Sequence, residues 1–217
     1  MAMERIWEFA PWMPDHIEPA EFAEHCRFLN SDALYDAGMT PGEKRSTPFP
    51  VAQLALTMPS FDVDCFSWEA HILVSERLRR TMALPGEIVD YFPVDASASS
   101  ATPRSLNYMI MSVAVTESIS RAGLGDPFIY EPESIDIRAV PQFPLFRDEQ
   151  YLGSMFCSDA MAVSVLESGC TGVRFIAPES RDFIRPMRYR TLRGLEEDAG
   201  WDENGERRPT LLVEAVS

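Results

Sequence analysis

The sequence predicts an α+β domain, a central mixed or antiparallel sheet with packed helices, and three observations carry that assignment. LNYMIMSVAV (106–115) is apolar on both alternating faces, as a strand buried on both sides must be. FCSDAMAVSVLESGCTGVRFIAP (156–178) reads as a capped helix followed at once by a strand. With 217 residues and 46% apolar side chains, the chain can bury one substantial core or two modest ones. A single unit and two loosely divided lobes both fit.

Between Pro19 and Gly38, the residues Phe22, Cys26, Leu29 and Ala33 fall in one stripe of a 3.6-residue helix. Pro19 suits a first turn and Gly38 a C-terminal stop. Asn30-Ser31-Asp32 equally suits the cap of a second helix, so one kinked helix and two short ones are both open. MTPGEKRSTPFP (39–50) has the composition of an exposed loop and marks a soft boundary. Gln53–Met58 and Phe61–Trp68 read as short extended segments. Ser75 caps a helix over Glu76–Leu84, with Leu78 and Met82 inward, Arg77, Arg79 and Arg80 outward, and Pro85-Gly86 as its stop.

Ile88–Val94 reads as a strand, and the small polar loop DASASSATPRS (95–105) separates it from the buried strand. Residues 121–150 carry four prolines and are expected to be mostly irregular, with one short strand near Ile135–Val140. Ser158 caps the helix Asp159–Ser168, Gly169 closes it in a left-handed conformation, and Thr171–Ala177 is a strand stopped by Pro178. The tail LEEDAGWDENGERR (195–208) is highly charged around Trp201, and Thr210–Val216 suits a last edge strand.

The net charge is −15, and residues 1–70 contribute −8 of it, with twelve acids against four bases. Such an excess repels nucleic-acid phosphates and anionic lipid and steers basic partners inward. Of the nineteen basic residues only Lys44 is a lysine, a bias that a GC-rich coding sequence explains. No run approaches the ~18 consecutive apolar residues of a membrane span. Cys26, Cys65, Cys157 and Cys170 are widely spaced among apolar neighbours, without a secretory signal, and read as reduced, buried and cytosolic.

Motifs of catalysis are missing. Zinc would require closely spaced Cys and His pairs. The nearest candidate, His25-Cys26, reads instead as a buried structural cysteine beside a histidine. Cys157 or Cys170 with His71 would need assembly from distant segments, and Cys170 follows a helix stop instead of opening a helix. Gly169-Cys-Thr-Gly172 has the wrong order of elements for a nucleophile elbow, and no phosphate-cradling glycine loop occurs. Asp62 and Asp64 share a face if their segment is extended, as an acid/base pair or a solvated strand face would. No metal and no organic cofactor is expected.

SERLRRTM (75–82), YFPVDASAS (91–99), RSLNYMIMSV (104–113) and FCSDAMAVSVLESGCTGVRF (156–175) together resemble a bacterial polymorphic-toxin immunity family. It is the eleventh numbered immunity family, formerly a domain of unknown function. The resemblance covers residues 65–178. It implies an α+β core over that range, between an acidic N-terminal variable region (1–64) and a charged C-terminal segment (179–217). It also implies a non-enzymatic, cytoplasmic, antitoxin-like protein that neutralises a cognate toxin or effector by stoichiometric occlusion, and it supplies no catalytic residues.

The acidity fits that expectation, because inhibitors of cationic enzymes gain association rate from a complementary acidic face. The partner is expected to be a protein with a basic surface, not nucleic acid or membrane. Its expected contacts are Glu21, Glu24 and Asp32 beside the first helix, Asp62 and Asp64, and Glu196, Glu197, Asp198, Asp202 and Glu203 around Trp201. Trp12 and Trp201 suit partner anchors or intramolecular lids, and the 95–104 loop is the next candidate surface. An inhibitor or escort of a neighbour-encoded secreted enzyme, a small cytosolic hydrolase or transferase, and an interaction scaffold stay open as alternatives.

Overall fold

A computed structural model of the chain describes residues 5–11, 19–57, 63–99, 107–119, 135–136, 140–178, 188–191 and 194–197, the side chains of 19–21 and of the last two spans excepted. Among these residues the chain runs β1 (Ile6–Pro11), α1 (Pro19–His25), β2 (Cys26–Phe28), α2 (Ser31–Ala37), β3 (Ala52–Leu56), β4 (Cys65–Trp68), β5 (His71–Ser75), α3 (Glu76–Met82) and β6 (Val89–Asp95). It continues through β7 (Tyr108–Val113), β8 (Thr116–Glu117), β9 (Leu145–Asp148), β10 (Met155–Ser158), α4 (Asp159–Glu167), β11 (Val173–Ile176), β12 (Arg188–Thr191) and β13 (Gly194–Glu197). Two sheets result, ordered β13-β12-β11-β1-β10-β9-β8 and β2-β3-β6-β7-β5-β4. Only β8 with β9 and β3 with β6 pair in parallel, so both sheets are mixed and the fold is α+β. No helix among the described residues is long and apolar enough to cross a membrane.

The doubly apolar segment is the interior strand β7, between β5 and β6. Because successive side chains point to opposite faces, Tyr108 and Ile110 enter one core with Phe22, Phe28, Leu34, Leu54 and Phe66. Met111 and Val113 enter another with Trp7, Phe9, Leu78, Met161 and Phe175. That second core takes side chains from both sheets and from α3 and α4, so one apolar interior joins the two halves. Each fully buried large side chain there contributes roughly 1.5–3 kcal/mol. A third cluster, including Ile6, Ile119, Phe146 and Phe156, covers the outer face of the longer sheet.

The capped helices lie where the sequence predicts. Ser75 Oγ accepts from the Leu78 amide at 3.1 Å, and Ser158 Oγ from the Met161 amide at 3.4 Å. Gly169 is left-handed at φ 69°. The N-terminal stripe is interrupted, however. Phe22 and Cys26 are buried, but the chain leaves the helix at Cys26 and pairs as β2 with Leu54–Leu56, which turns Leu29 and Ala33 outward. Two short helices separated by a strand replace the single stripe, and Gly38 ends the second at φ 61°.

Eight strands have no counterpart in the sequence reading: β1, β2, β5, β8, β9, β10, β12 and β13. β1 is interior to its sheet, pairing with β10 on one side and β11 on the other. β9 carries Arg147 and Asp148, both buried, within 141–148 of a region expected to be mostly irregular. The short strand expected near 135–140 is a single bridge at Ile135, with 137–139 outside the described residues. Thr210–Val216 also lies outside them.

The two sheets meet at a turn that tolerates no side chain. Gly172, at φ 77°, sits against the start of β4, where an added Cβ would lie 2.2 Å from the Cys65 carbonyl oxygen and 3.0 Å from Val63 Cβ. Gly172→Ala should therefore lower the unfolding free energy by at least about 2 kcal/mol, combining left-handed strain with a backbone clash. Gly86→Ala, where nothing lies within 4 Å, should stay within about 0.5 kcal/mol of wild type. Urea titration of both variants checks the contrast.

Candidate functional site

Asp64 does not lie on an open strand face. It is 8% exposed just before β4, and its carboxylate accepts from Ser75 Oγ at 2.6 Å, the Thr171 amide at 2.9 Å, and Thr171 Oγ1 and Arg77 Nη1 at 3.4 Å. Its function is internal, tying β5 and α3 to the turn before β11. Glu24 and Asp32 are exposed. Glu21 lies on α1, and Glu196 and Glu197 lie on the outer strand β13, opposite Tyr189 and Arg188 in register. Asp62, Asp198, Trp201, Asp202 and Glu203, with Trp12, lie outside the described residues. The described acids thus lie apart, on α1, on α2, just before β4 and on β13, and of them Asp32 borders a cavity.

That cavity, of about 480 Å³, lies between α2 and the β4–β5 hairpin and is lined by Ser31, Asp32, Leu34, Tyr35, Gly38, Met39, Glu69, Ala70 and His71. Each wall is held in place. Arg45 donates to the carbonyls of Ala37 and Gly38 and so caps the end of α2. On the other side, Trp68 pairs with His71 across a two-residue loop, and the Trp68 ring meets Phe22 edge-on at 5.0 Å. The His71 ring is wedged between Phe28 at 5.5 Å and Phe49 at 6.1 Å, and Phe49 lies beneath the Arg45 guanidinium at 5.1 Å.

The hairpin tip is strained. Glu69 (φ 46°) and Ala70 (φ 63°) both occupy left-handed backbone, which a two-residue loop demands and which asparagine or glycine fills most cheaply. Each L-residue there costs roughly 1–2 kcal/mol. The sequence contains the clue in Trp68-Glu-Ala-His71, but its tip lacks the usual Asn-Gly or Asp-Gly signal of a hairpin.

Partial burial raises the Glu69 carboxyl above its ordinary range, and burial lowers His71 below 6.5. The imidazole is therefore neutral near pH 7, while Asp32 and Glu69 give the cavity its negative charge. Tyr35, 87% exposed, presents its ring at the rim. The second cavity, about 180 Å³ around Lys44 and Arg45, offers no free cation, because Lys44 binds Asp90 and the Gly86 carbonyl while Arg45 binds backbone oxygens.

The cysteines are poor nucleophiles. All four are reduced and buried, with the Cys26 thiol pushed up to about 12 and Cys65 and Cys157 raised further, chiefly by burial. Cys157 and Cys170 lie in the core between the sheets, whereas His71 packs on the opposite face of its strand, so they form no dyad. Among the described residues no three His, Cys, Asp or Glu side chains are placed to hold a metal ion. No protein-family model matches the chain, and no curated protein matches it either.

Two outcomes are expected. Asp64→Ala should cost about 3 kcal/mol, because it strands the buried Ser75 hydroxyl and Thr171 amide; chemical denaturation measures this. The His71 ring should titrate by NMR with a midpoint below 6.5. Well above pH 6.5 the ring is neutral in both states. As pH falls through that value the unfolded chain protonates first, so stability declines until the folded ring protonates too. His71→Phe should remove that portion of the pH dependence.

Proposed function

We propose that this protein is a non-enzymatic, immunity-type inhibitor that acts in the cytoplasm by binding a partner with a basic surface and occluding it. The observation that carries this reading is the cavity between α2 and the β4–β5 hairpin, bordered by Asp32 and Glu69 with an exposed Tyr35 at its rim. An exposed aromatic ring beside carboxylates that have no ion-pair partner among the described residues is the chemistry of a binding hot spot for cationic side chains. The four segments between 75 and 175 that resemble the toxin-immunity family support the same reading. A partner that is a neighbour-encoded enzyme but not a toxin would use the same surface.

Electrostatics favours the α1–α2 side as the face presented first. Glu24, Asp32, Asp36 and Glu69 are exposed there, and among the described residues none has a cationic partner. Arg77, Arg79 and Arg80 do not compensate them, because Arg77 is engaged by Asp64 and the other two by Glu76 at 2.6–2.7 Å. Uncompensated charge of this kind acts mainly on the association rate.

The test is binding to the product of the adjacent gene, measured by stopped-flow or biosensor kinetics. The association rate should fall about tenfold or more between low and physiological salt, and by a similar factor in Glu24→Lys/Asp32→Lys/Asp36→Lys. Tyr35→Ala should mainly speed dissociation. Absence of binding, or association indifferent to both salt and charge reversal, would contradict the proposal.

A further inference from the structure

We propose that the cavity of about 180 Å³ between the 39–47 segment and the β6–β7 pair binds a small neutral polyol. The proposal is independent of the occlusion reading and concerns a different cavity.

Ser112 is the residue that decides it. Along β7, Tyr108 and Ile110 enter the core shared with Phe22 and Leu54, and the two-residue period places Ser112 next on that same face. An apolar side chain there would extend the core. The chain instead places a serine, only 8% exposed, at the wall of the cavity. Its hydroxyl has no hydrogen-bond partner among the described residues. Burying a hydroxyl without a partner is unfavourable, so a ligand that pairs with it gains what the fold leaves unmet.

The cavity is held open before any ligand arrives. Its roof, residues 39–47, is pinned where the Gly42 amide donates to the Val113 carbonyl at 3.1 Å. It is pinned again at Asp90, which accepts from Lys44 Nζ at 3.1 Å and from the Arg45 amide at 3.2 Å. Asp90 stands opposite Ser112 in the β6–β7 register, so the roof is fastened directly beside the serine. At Gly42 an added Cβ would lie 2.5 Å from Thr116 Cγ2, so glycine lets the roof sit this deep. A preformed site loses little affinity to ordering.

The lining selects the ligand. Lys44 and Arg45 share it with Glu43, and Asp90 holds Lys44 from behind, so the formal charges cancel and neither an anion nor a cation is favoured. Four lining residues, Thr40, Ser46, Thr47 and Ser112, carry hydroxyls. A hydroxyl both donates and accepts, which matches a ligand whose own polar groups are hydroxyls. Lys44 directs two of its three N–H donors to Asp90 and the Gly86 carbonyl, leaving one for the ligand. Met39 and Phe92 supply apolar contact for C–H groups. Because a liquid water occupies about 30 Å³, this volume suits roughly six non-hydrogen atoms, the size of glycerol.

The experiment is an NMR titration of the full chain with glycerol, against propane-1,3-diol as the analogue short of one hydroxyl. Glycerol should give saturable shifts confined to residues 39–47, 90–92 and 112, with half-saturation below about 50 mM. The diol should bind about fivefold more weakly. Ser112→Ala should weaken glycerol by a similar factor while its urea midpoint stays at or above that of wild type, because the deleted hydroxyl supports nothing in the fold. Absence of such saturation would mean that the cavity holds water only and would overturn the proposal. Equal affinity for the diol, wild-type affinity in Ser112→Ala, or saturable binding of inorganic phosphate at the same residues would overturn it too. A lowered urea midpoint in Ser112→Ala would assign the serine to the fold and contradict the site.

Discussion

The fold depends on the contact between Asp64 and the turn at Thr171–Gly172. Gly172 lets the turn approach the β4 backbone closer than any side chain permits, and the Asp64 carboxylate then accepts from the Thr171 amide and hydroxyl. The same carboxylate accepts from Ser75 Oγ, whose other role is to cap α3. Backbone bonds reinforce the junction, with Asp64 donating to the Thr171 carbonyl at 3.0 Å and Ser75 donating to the Asp64 carbonyl at 2.7 Å. One buried acid therefore fixes a strand, a helix start and the second sheet. A buried carboxylate is tolerable only when its acceptor capacity is filled in this way.

The junction also locates the candidate site. It clamps the open end of the β4–β5 hairpin, whose tip at Glu69 and Ala70 forms one wall of the cavity. Strain at the tip can persist because the base is overdetermined, by hydrogen bonds below and by Phe22 and Phe28 packing at Trp68 and His71 above. The opposite wall, α2, is held by Leu34 in the core and by Arg45 at its C-terminal carbonyls. Arg45 thus stabilises a helix end, and its positive charge is consumed there. Lys44, Arg77, Arg79 and Arg80 are bound to acids, and neither Asp32 nor Glu69 has an ion-pair partner among the described residues.

Features with a local cause were legible in the sequence. The doubly apolar β7, the Ser75 and Ser158 caps and the left-handed Gly169 each follow from a few adjacent residues. Features set by distant contacts were not. β9 hides behind Arg147 and Asp148, and only the fold reveals why Asp148 is buried: it accepts from the amides of Ile119, Gln150 and Tyr151. The stripe through Phe22 and Cys26 is real but ends where β2 finds its partner in β3. Of the site, Asp32 was anticipated; Glu69, His71 and Tyr35 were not, because a tight hairpin without Gly or Asn at its tip leaves no turn signal. Asp64 was read as a surface acid because nothing local distinguishes a solvated carboxylate from one filled by tertiary donors.

We propose the cavity between α2 and the β4–β5 hairpin as the face presented to a partner. Amide hydrogen exchange on the protein, free and bound to the product of the adjacent gene, tests it most directly. The account predicts new protection concentrated in residues 31–39 and 69–73, with β7 and α4 unchanged because the core already protects them. Protection confined to the β8 edge or to α4, with 31–39 and 69–73 exchanging as in the free protein, would contradict it.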